Sequence, residues 1–410
     1  MTTPFLPARR ALLASAALAT MPRAWAQAVP AARKDGRLVV VFLRGAYDGL
    51  SAFVPWADPE YSRVRPSIAI APPDGSGQTT LRLDDRFGLH PSLGALLPLW
   101  QQGVLAVVPA AGSPDPTRSH FDAQYQWETA RPGRTSEASG WLNTLAGWGG
   151  ATGSVRAIGV GEANPRILAG PQAIKLVARG KAAQRAGALE NPRTRDALMA
   201  LYHGPDALSS AFRQGAESRL QTAQDLNREM QAADNGAAPS AALENDARNL
   251  GALMRQERQL RIGFLSAGGW DTHANQGAAT GQLAGNLRNL GAALVQLRRD
   301  FQQDGDVIIV ASEFGRTTSE NGTRGTDHGH GNAIWLLGNR INGGRWHGQW
   351  TGLGPANLHE KRDLPVHHDF RAVLAQVLKP AFGLPDSELA TVLPGATWDR
   401  QLDGLMRRTL

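Results

Sequence analysis

The stretch Arg37–Leu50, RLVVVFLRGAYDGL, decides the fold. Leu38 to Leu43 is a continuous apolar, largely β-branched run with none of the alternation of a half-exposed strand. Such a run reads as a strand buried on both faces, as in the middle of a parallel sheet. It breaks at Arg44-Gly45-Ala46-Tyr47-Asp48-Gly49, a turn that leaves Asp48 just past the carboxyl end of the strand. Open α/β sheets bind ligands at that end, so fold and candidate site start from the same residues.

Outward from this stretch, further apolar runs read as strands: Val104–Ala110, Val155–Val160, Leu260–Ser266, Asp306–Ala311 and Ala333–Leu337. Helical patterns lie between and after them, at Pro91–Gln102, Ser119–Ala130, Glu137–Trp148, 190–232, Ala241–Arg255, Gln276–Gln303 and Phe370–Leu378. In Gln276–Gln303 the residues Leu283, Leu287, Leu290, Leu294 and Leu297 recur at helical spacing. Strands alternating with helices predict an α/β fold with a mostly parallel central sheet sandwiched by helices. Residues 53–92, rich in proline and aspartate, read as a long ordered loop, and 234–240 as a linker. The helical stretch at about 190–255 reads as an insertion or cap within a single domain covering 27–410.

The first 26 residues read as a signal peptide and not as part of the fold. Arg9-Arg10, the apolar run Ala11–Met21 and Ala24-Trp25-Ala26 supply a charged n-region, a short h-region and a cleavage site near Ala26. The paired arginines point to twin-arginine export, with the translocase as a partner during export and a periplasmic or secreted mature chain. An ordinary secretory signal is the other reading. Cleavage removes three arginines and no acid, so the formal charge falls from +7 to +4. No dense basic run with interleaved aromatics argues for nucleic-acid binding. No later segment is long and apolar enough for a transmembrane helix. The absence of cysteine excludes disulfides, thiolate catalysis and iron–sulfur clusters.

Acids and histidines gather after the strands. Asp48 follows the first. Asp271 and His273 follow Leu260–Ser266. Glu313 follows Asp306–Ala311, with Arg316, Asp327, His328 and His330 on the loop beyond it. The exit of Val104–Ala110 offers hydroxyls, Thr117 and Ser119, with Arg118 and His120 beside them. Asp and His together suit zinc, manganese or iron, and carboxylates alone suit calcium or magnesium. Arg44, Arg118 and Arg316 are placed to grip oxyanions. Each feature also has a structural reading: Asp48-Gly49 as a turn, Ser119 as a helix cap, Asp271–His273 as a capping segment, Glu313 with Arg316 as an ion pair, and Asp327–His330 as a hydrogen-bonded loop. Asp369, after His367-His368, reads as the cap of the last helix. His90, His203, His347 and His359 have no acidic company at ligand spacing and read as surface or core residues.

Taken in order, the double-arginine leader, VVFLRGAYDGL, RSHFDAQ, GGWDTH, SEFGRT and TDHGHGN resemble the domain of unknown function 1501 family over nearly all of the mature chain. That family is a distant relative of the alkaline phosphatase and sulfatase superfamily, so the resemblance implies an alkaline phosphatase-like fold. It implies a metal-binding Asp after the first strand, which is Asp48 here. It implies a nucleophilic hydroxyl at the start of the helix after the next strand, matched by Ser119 and next by Thr117. Asp327-His328-Gly329 matches a late Asp-His pair, and Asp271 with His273 matches an earlier one at shorter spacing. The superfamily's last metal histidine has no convincing match among His347, His359, His367 and His368, and His330 is the substitute.

The expectation is an exported metal-dependent hydrolase of a small anionic phosphate or sulfate ester. Asp48, Asp271, His273, Asp327, His328 and His330 would hold a divalent metal: zinc, manganese, calcium or magnesium. Ser119 would be the nucleophile, Arg316 or Arg118 would stabilise the transition state, and Glu313 would orient a ligand or act as acid or base. The rival expectation is a non-catalytic exported protein on the same fold, binding a ligand or partner, with a degenerate or structural metal site.

Overall fold

The computed structural model describes the chain apart from residues 1–35, 134–137, 151–152, 162–164, 178–190, 234–241 and 408–410. The leader and the 234–240 linker lie outside the described residues. In chain order the strands are β1 (Leu38–Leu43), β2 (Phe53–Val54), β3 (Leu81–Arg82), β4 (Gly88–Leu89), β5 (Leu105–Gly112) and β6 (Ala157–Val160). They continue as β7 (Ile174–Val177), β8 (Ile262–Ala267), β9 (Val307–Ala311), β10 (Asn332–Leu337), β11 (Arg345–Trp346) and β12 (His368–Asp369). The helices are α1 (Gly49–Ala52), α2 (Pro59–Val64), α3 (Leu97–Gln101), α4 (His120–Thr129), α5 (Trp141–Ala146) and α6 (Pro192–Leu201). After these come α7 (Ala207–Ala233), α8 (Ala242–Gln256), α9 (Gln282–Asp300), α10 (Phe370–Phe382) and α11 (Asp386–Val392).

The main sheet runs β11-β5-β10-β9-β1-β8-β6-β7, with β12 also paired to β5. The ladders among β9, β1, β8, β6 and β7 are parallel, and β10 runs antiparallel between β9 and β5. This is the mostly parallel, helix-flanked α/β sheet expected from the sequence. β1 lies inside it with all six residues buried. Its alternate residues face opposite layers, which is why the run shows no polar position. Leu38, Val40 and Phe42 join Trp127 of α4, Trp141 of α5 and Val373 of α10. Val39, Val41 and Leu43 join Leu250 of α8 with Leu287, Leu290 and Leu294 of α9. Asp369 caps α10, accepting from the Arg371 backbone N–H.

Two expectations change. The 53–92 segment is not one loop: β2, β4 and β3 form a small antiparallel sheet there. Strands of two residues carry no periodicity to read. The 190–255 stretch is not a uniform cap either. Leu250, Leu253 and Met254 of α8 are buried against α9 and the sheet. α6 and α7 instead share a small cluster around Ala216.

Because β5, β9, β1 and β8 point the same way, their carboxyl ends open on one edge. The antiparallel β10 starts at that edge, so the segment before it arrives there as well. Leu287 is fully buried on the α9 face. Leu287→Ala is expected to cost about 2–5 kcal/mol, as cavity-forming core truncations do, read as a lower urea midpoint with an unchanged m-value.

Candidate metal centre

Four side chains meet at the carboxyl edge of the sheet. His120 opens α4 after β5, Asp271 and His273 follow β8, and His328 stands just before β10. His328 Nε2 lies 3.0 Å from His120 Nε2 and 3.0 Å from His273 Nε2. Asp271 Oδ1 lies 2.9 Å from His273 Nε2 and 3.2 Å from His328 Nε2, and Asp271 Oδ2 lies 3.5 Å from His120 Nε2.

The other ring nitrogens settle the tautomers. His120 Nδ1 faces Glu313 Oε1 at 2.8 Å, His273 Nδ1 faces Asp327 Oδ1 at 3.2 Å, and His328 Nδ1 faces the Arg118 carbonyl at 2.9 Å. A carbonyl oxygen cannot donate. Both carboxyls are held below their ordinary range and are therefore ionised acceptors. For Glu313, burial pushes upward but is outweighed by hydrogen bonds from His120, Gln124 and the Gly45 backbone. For Asp327, the Asn321 hydrogen bond leads, with His273 adding. Each Nδ1 thus carries the hydrogen, and each neutral ring turns its Nε2 lone pair inward.

Three lone pairs and a carboxylate aimed at one another repel unless a cation stands among them. Bonds of about 2.0–2.1 Å to a tetrahedral zinc-like ion set neighbouring donors about 3.3 Å apart. The spacings above, 2.9 to 3.5 Å, lie near that value, with Asp271 reaching His273 and His328 through Oδ1 and His120 through Oδ2; His120, Asp271 and His328 are the three whose ligand atoms all lie within 4.8 Å of one another. A proton on His120 is the competing occupant. The Glu313 hydrogen bond and charge raise its pKa despite burial, whereas burial and the His120 charge lower that of His328. Glu313 is fully buried, and Phe314 stacks on the His120 ring at 4.8 Å. Asp271 and His273 are about half exposed, so the centre opens to solvent on their side.

Arg316 builds the floor. Its Nε donates to the Ala46 carbonyl, Nη1 to Thr326, and Nη2 to Gly45, Trp270 and Asp271 Oδ1. Burial would raise the Asp271 carboxyl, but the Arg316 hydrogen bond and charge hold it below the ordinary value. Two glycines let the loops close on this floor. Gly45 has φ +111°, and a Cβ there would stand 2.7 Å from the Asp271 nitrogen. A Cβ on Gly329 would stand 2.5 Å from the Arg316 carbonyl.

Among the candidate ligands named from the sequence, Asp271, His273 and His328 come together. Asp327 orients His273 from behind. Asp48 does not join them: its Oδ2 takes Arg65 Nη1 at 2.6 Å, Ser51 Oγ at 2.7 Å and Gln276 Nε2 at 2.8 Å, all buried. His330 does not join either. Its ring packs on His359 at 4.5 Å, and burial, with the His359 charge, pushes its pKa down to about 4.

Arg316 is fully buried and bonded to the protein at every nitrogen, which withdraws it from the solvent side where a substrate would approach. Arg118 pairs through Nη2 with Glu360 and Asp363, and its carbonyl faces His328 Nδ1. Ser119 caps α4, its Oγ accepting from the Asp122 backbone, and has no hydrogen bond to the four donors. Glu313 orients a ligand, one of the roles open to it. The donor missed in the sequence is His120, one residue past the hydroxyl favoured by the resemblance. Its signal was the exit of β5, where the chemistry was sought in Ser119.

A family model described as a protein of unknown function, DUF1501, matches residues 35–393. No curated protein matches the chain. The solved structures that resemble it include the lipoteichoic acid synthase LtaP from Listeria monocytogenes, at 8% identity and TM-score 0.39, over 92% of this chain and 77% of that one. Ps i-CgsB in complex with k-i-k-neocarrahexaose is similar at 10% identity and TM-score 0.37, over 88% and 75%. The PsFucS1 sulfatase from Pseudoalteromonas sp. is similar at 11% identity and TM-score 0.35, over 91% and 74%. Likeness at this level says nothing of activity.

Glu313→Gln removes the anionic acceptor behind His120 and is expected to weaken zinc binding by about 10–100-fold, read by competition with a chromophoric chelator. Protons compete for the same nitrogen. Because the His120 pKa is raised above 6.5, zinc affinity should be full well above that value and fall as pH drops through it. The midpoint of that fall should move to lower pH in Glu313→Gln.

Proposed function

The chain belongs to the DUF1501 family, and from that premise we propose that it is an exported, metal-dependent hydrolase of phosphate or sulfate esters. The observation that carries this reading is the convergence of three imidazole lone pairs and one carboxylate at the solvent-facing carboxyl edge of a mostly parallel sheet. His120, Asp271, His273 and His328 hold the ion. A donor set of three nitrogens and one oxygen suits zinc or a neighbouring first-row ion better than magnesium or calcium. When bound, such an ion supplies Lewis acidity and acidifies water at neutral pH.

The chain's own residues do the rest. Glu313, Asp327 and the Arg118 carbonyl hold the hydrogen of each ring on Nδ1, so that the three Nε2 atoms stay turned toward the ion. Arg316 fixes Asp271 as an anion. The substrate ester approaches on the exposed side of Asp271 and His273, where water is at hand. Ser119 Oγ serves the helix start and makes no hydrogen bond to the four donors, so water is the attacking group: its oxygen bonds to phosphorus or sulfur as the P–O or S–O ester bond breaks, the leaving oxygen takes a proton from solvent to become the alcohol, and one water proton passes to solvent. Export rests on the Arg9-Arg10 leader and the cleavage pattern near Ala26. No described helix is long and apolar enough to cross a membrane.

One observation favours a second reading, a ligand-binding protein with a structural ion. Arg316 is fully buried among protein carbonyls and Asp271, and Arg118 is drawn through Nη2 to Glu360 and Asp363, so both arginines are turned toward the protein itself.

Mature protein loaded with zinc, screened on aryl phosphate, phosphodiester and sulfate esters, separates the two. Turnover that a chelator abolishes and zinc restores supports the hydrolase; bound zinc with no turnover on any ester favours the second reading. His120→Ala should lose both zinc and turnover. Ser119→Ala should keep turnover within about tenfold while losing about 0.5–2 kcal/mol of stability with its cap, and a loss of several orders of magnitude would return Ser119 to the role of nucleophile.

A further inference from the structure

Arg118 stands two residues before His120, and its carbonyl faces His328 Nδ1 at 2.9 Å, so its backbone adjoins two of the four donors. A hairpin at 359–363 holds its side chain. Nη2 reaches Glu360 Oε2 at 2.6 Å and Asp363 Oδ2 at 2.8 Å. The two carboxylates are not equivalent. Asp363 is fully buried and also takes Arg362 through Nε at 2.9 Å and Nη2 at 3.0 Å. The Glu360 side chain is 57% exposed, and its Oε1 lies 3.9 Å from His359 Nε2, beyond hydrogen-bond reach.

The hairpin is pinned at its base and strained at its tip. His359 and Asp363 exchange backbone hydrogen bonds at 2.9 and 3.0 Å, and Asp363 also bridges to Thr317. Arg362 Nη2 donates to the His328 carbonyl at 2.8 Å, which ties the base to the metal centre. At the tip, Glu360 and Lys361 both have positive φ, 51° and 57°. Turns with two such residues favour Asn and Gly, and longer side chains are strained there. The closed arrangement also leaves polar atoms stranded. Arg118 Nε and His359 Nε2 are buried with no hydrogen-bond partner among the described residues, which is unfavourable for a donor shut away from water.

With Glu360 in place, the guanidinium groups of Arg118 and Arg362 are matched by two carboxylates. With Glu360 swung outward they share Asp363 alone, and one positive charge is uncovered beside His328. Asp115 does not replace Glu360: its oxygens face the Thr117 N–H at 2.9 Å and the Gln126 amide at 2.8 Å.

We infer that Glu360 stands in for the anionic group of the substrate: an arriving phosphate or sulfate displaces its carboxylate from Arg118 and takes the guanidinium. This rests on reading the centre as that of an ester hydrolase, and it supplies the oxyanion grip that the closed hairpin withholds. Guanidinium forks hold such oxyanions bidentately. Buried Asp363 keeps Arg118 beside His328 while Glu360 gives way, because an ion pair in solvent is weak and opens easily.

The test titrates inorganic phosphate into zinc-loaded mature protein by calorimetry. Phosphate carries the anionic group and no ester bond, so binding is read whether or not any ester is turned over. Glu360→Ala is expected to tighten phosphate binding by about two- to fivefold, the release of one exposed ion pair. Arg118→Ala should weaken binding, and in Glu360→Ala/Arg118→Ala the gain should vanish. Arg118→Lys, which keeps the charge and loses the fork, replaces Arg118→Ala if that variant fails to fold. Phosphate binding that is absent, unchanged or weaker in Glu360→Ala overturns the inference. An equal gain without the Arg118 guanidinium also overturns it, since that is the general effect of removing a negative charge. The gain without turnover of any ester supports the role of Glu360 and removes only the hydrolase reading.

Discussion

The buried guanidinium of Arg316 is the constraint on which the rest of the site depends. It joins the exits of three strands: Gly45 and Ala46 after β1, Trp270 and Asp271 after β8, and Thr326 on its own loop after β9. Hydrogen bonds from a charged donor contribute about 1.5–3 kcal/mol each, and leaving four carbonyls and a carboxylate without it would cost comparably. Ala46 sits in the left-handed region at φ 58°. Its carbonyl is held by Arg316 Nε, which helps to offset that local strain.

Behind that floor lie two layers that use the same residue types differently. Asp271 and Asp327 reach the solvent-facing centre, whereas Asp48 is buried against Arg65, with Ser51 and Gln276 completing the network. Burial alone would raise the Asp48 carboxyl, and the Arg65 charge and hydrogen bond bring it below its ordinary value. Gln276 links the layers, since its Oε1 accepts from Thr272 and Thr326, neighbours of Asp271 and Asp327. The outer layer carries donors that could hold an ion; the inner layer carries the buried Asp48–Arg65 pair, through which Arg65 also reaches the Thr317 and Thr318 carbonyls.

Much of this was legible in the chain. The unbroken apolar run Leu38–Leu43 and the leucine spacing of α9 named a buried parallel sheet and its cover, because burial on both faces leaves no polar position. Asp271, His273 and His328 were legible because acids and imidazoles past a strand end have few structural uses. Asp48 misled because its type and position fit a ligand, while its partner Arg65 lies in a segment without periodicity. His120 was passed over because a hydroxyl one residue earlier also fits a helix start. Only the helix's rotation decides which of the two faces the crevice, and sequence spacing does not carry that angle.

The central claim is that four donors, from the start of α4, the exit of β8 and the loop between β9 and β10, enclose one ion. X-ray absorption at the metal edge of zinc-loaded protein tests it most directly. The account predicts one zinc per chain with three imidazole nitrogens and one carboxylate oxygen at about 2.0–2.1 Å, and loss of an imidazole from that shell in His120→Ala. An oxygen-only shell, or an imidazole count untouched by His120→Ala, would contradict it.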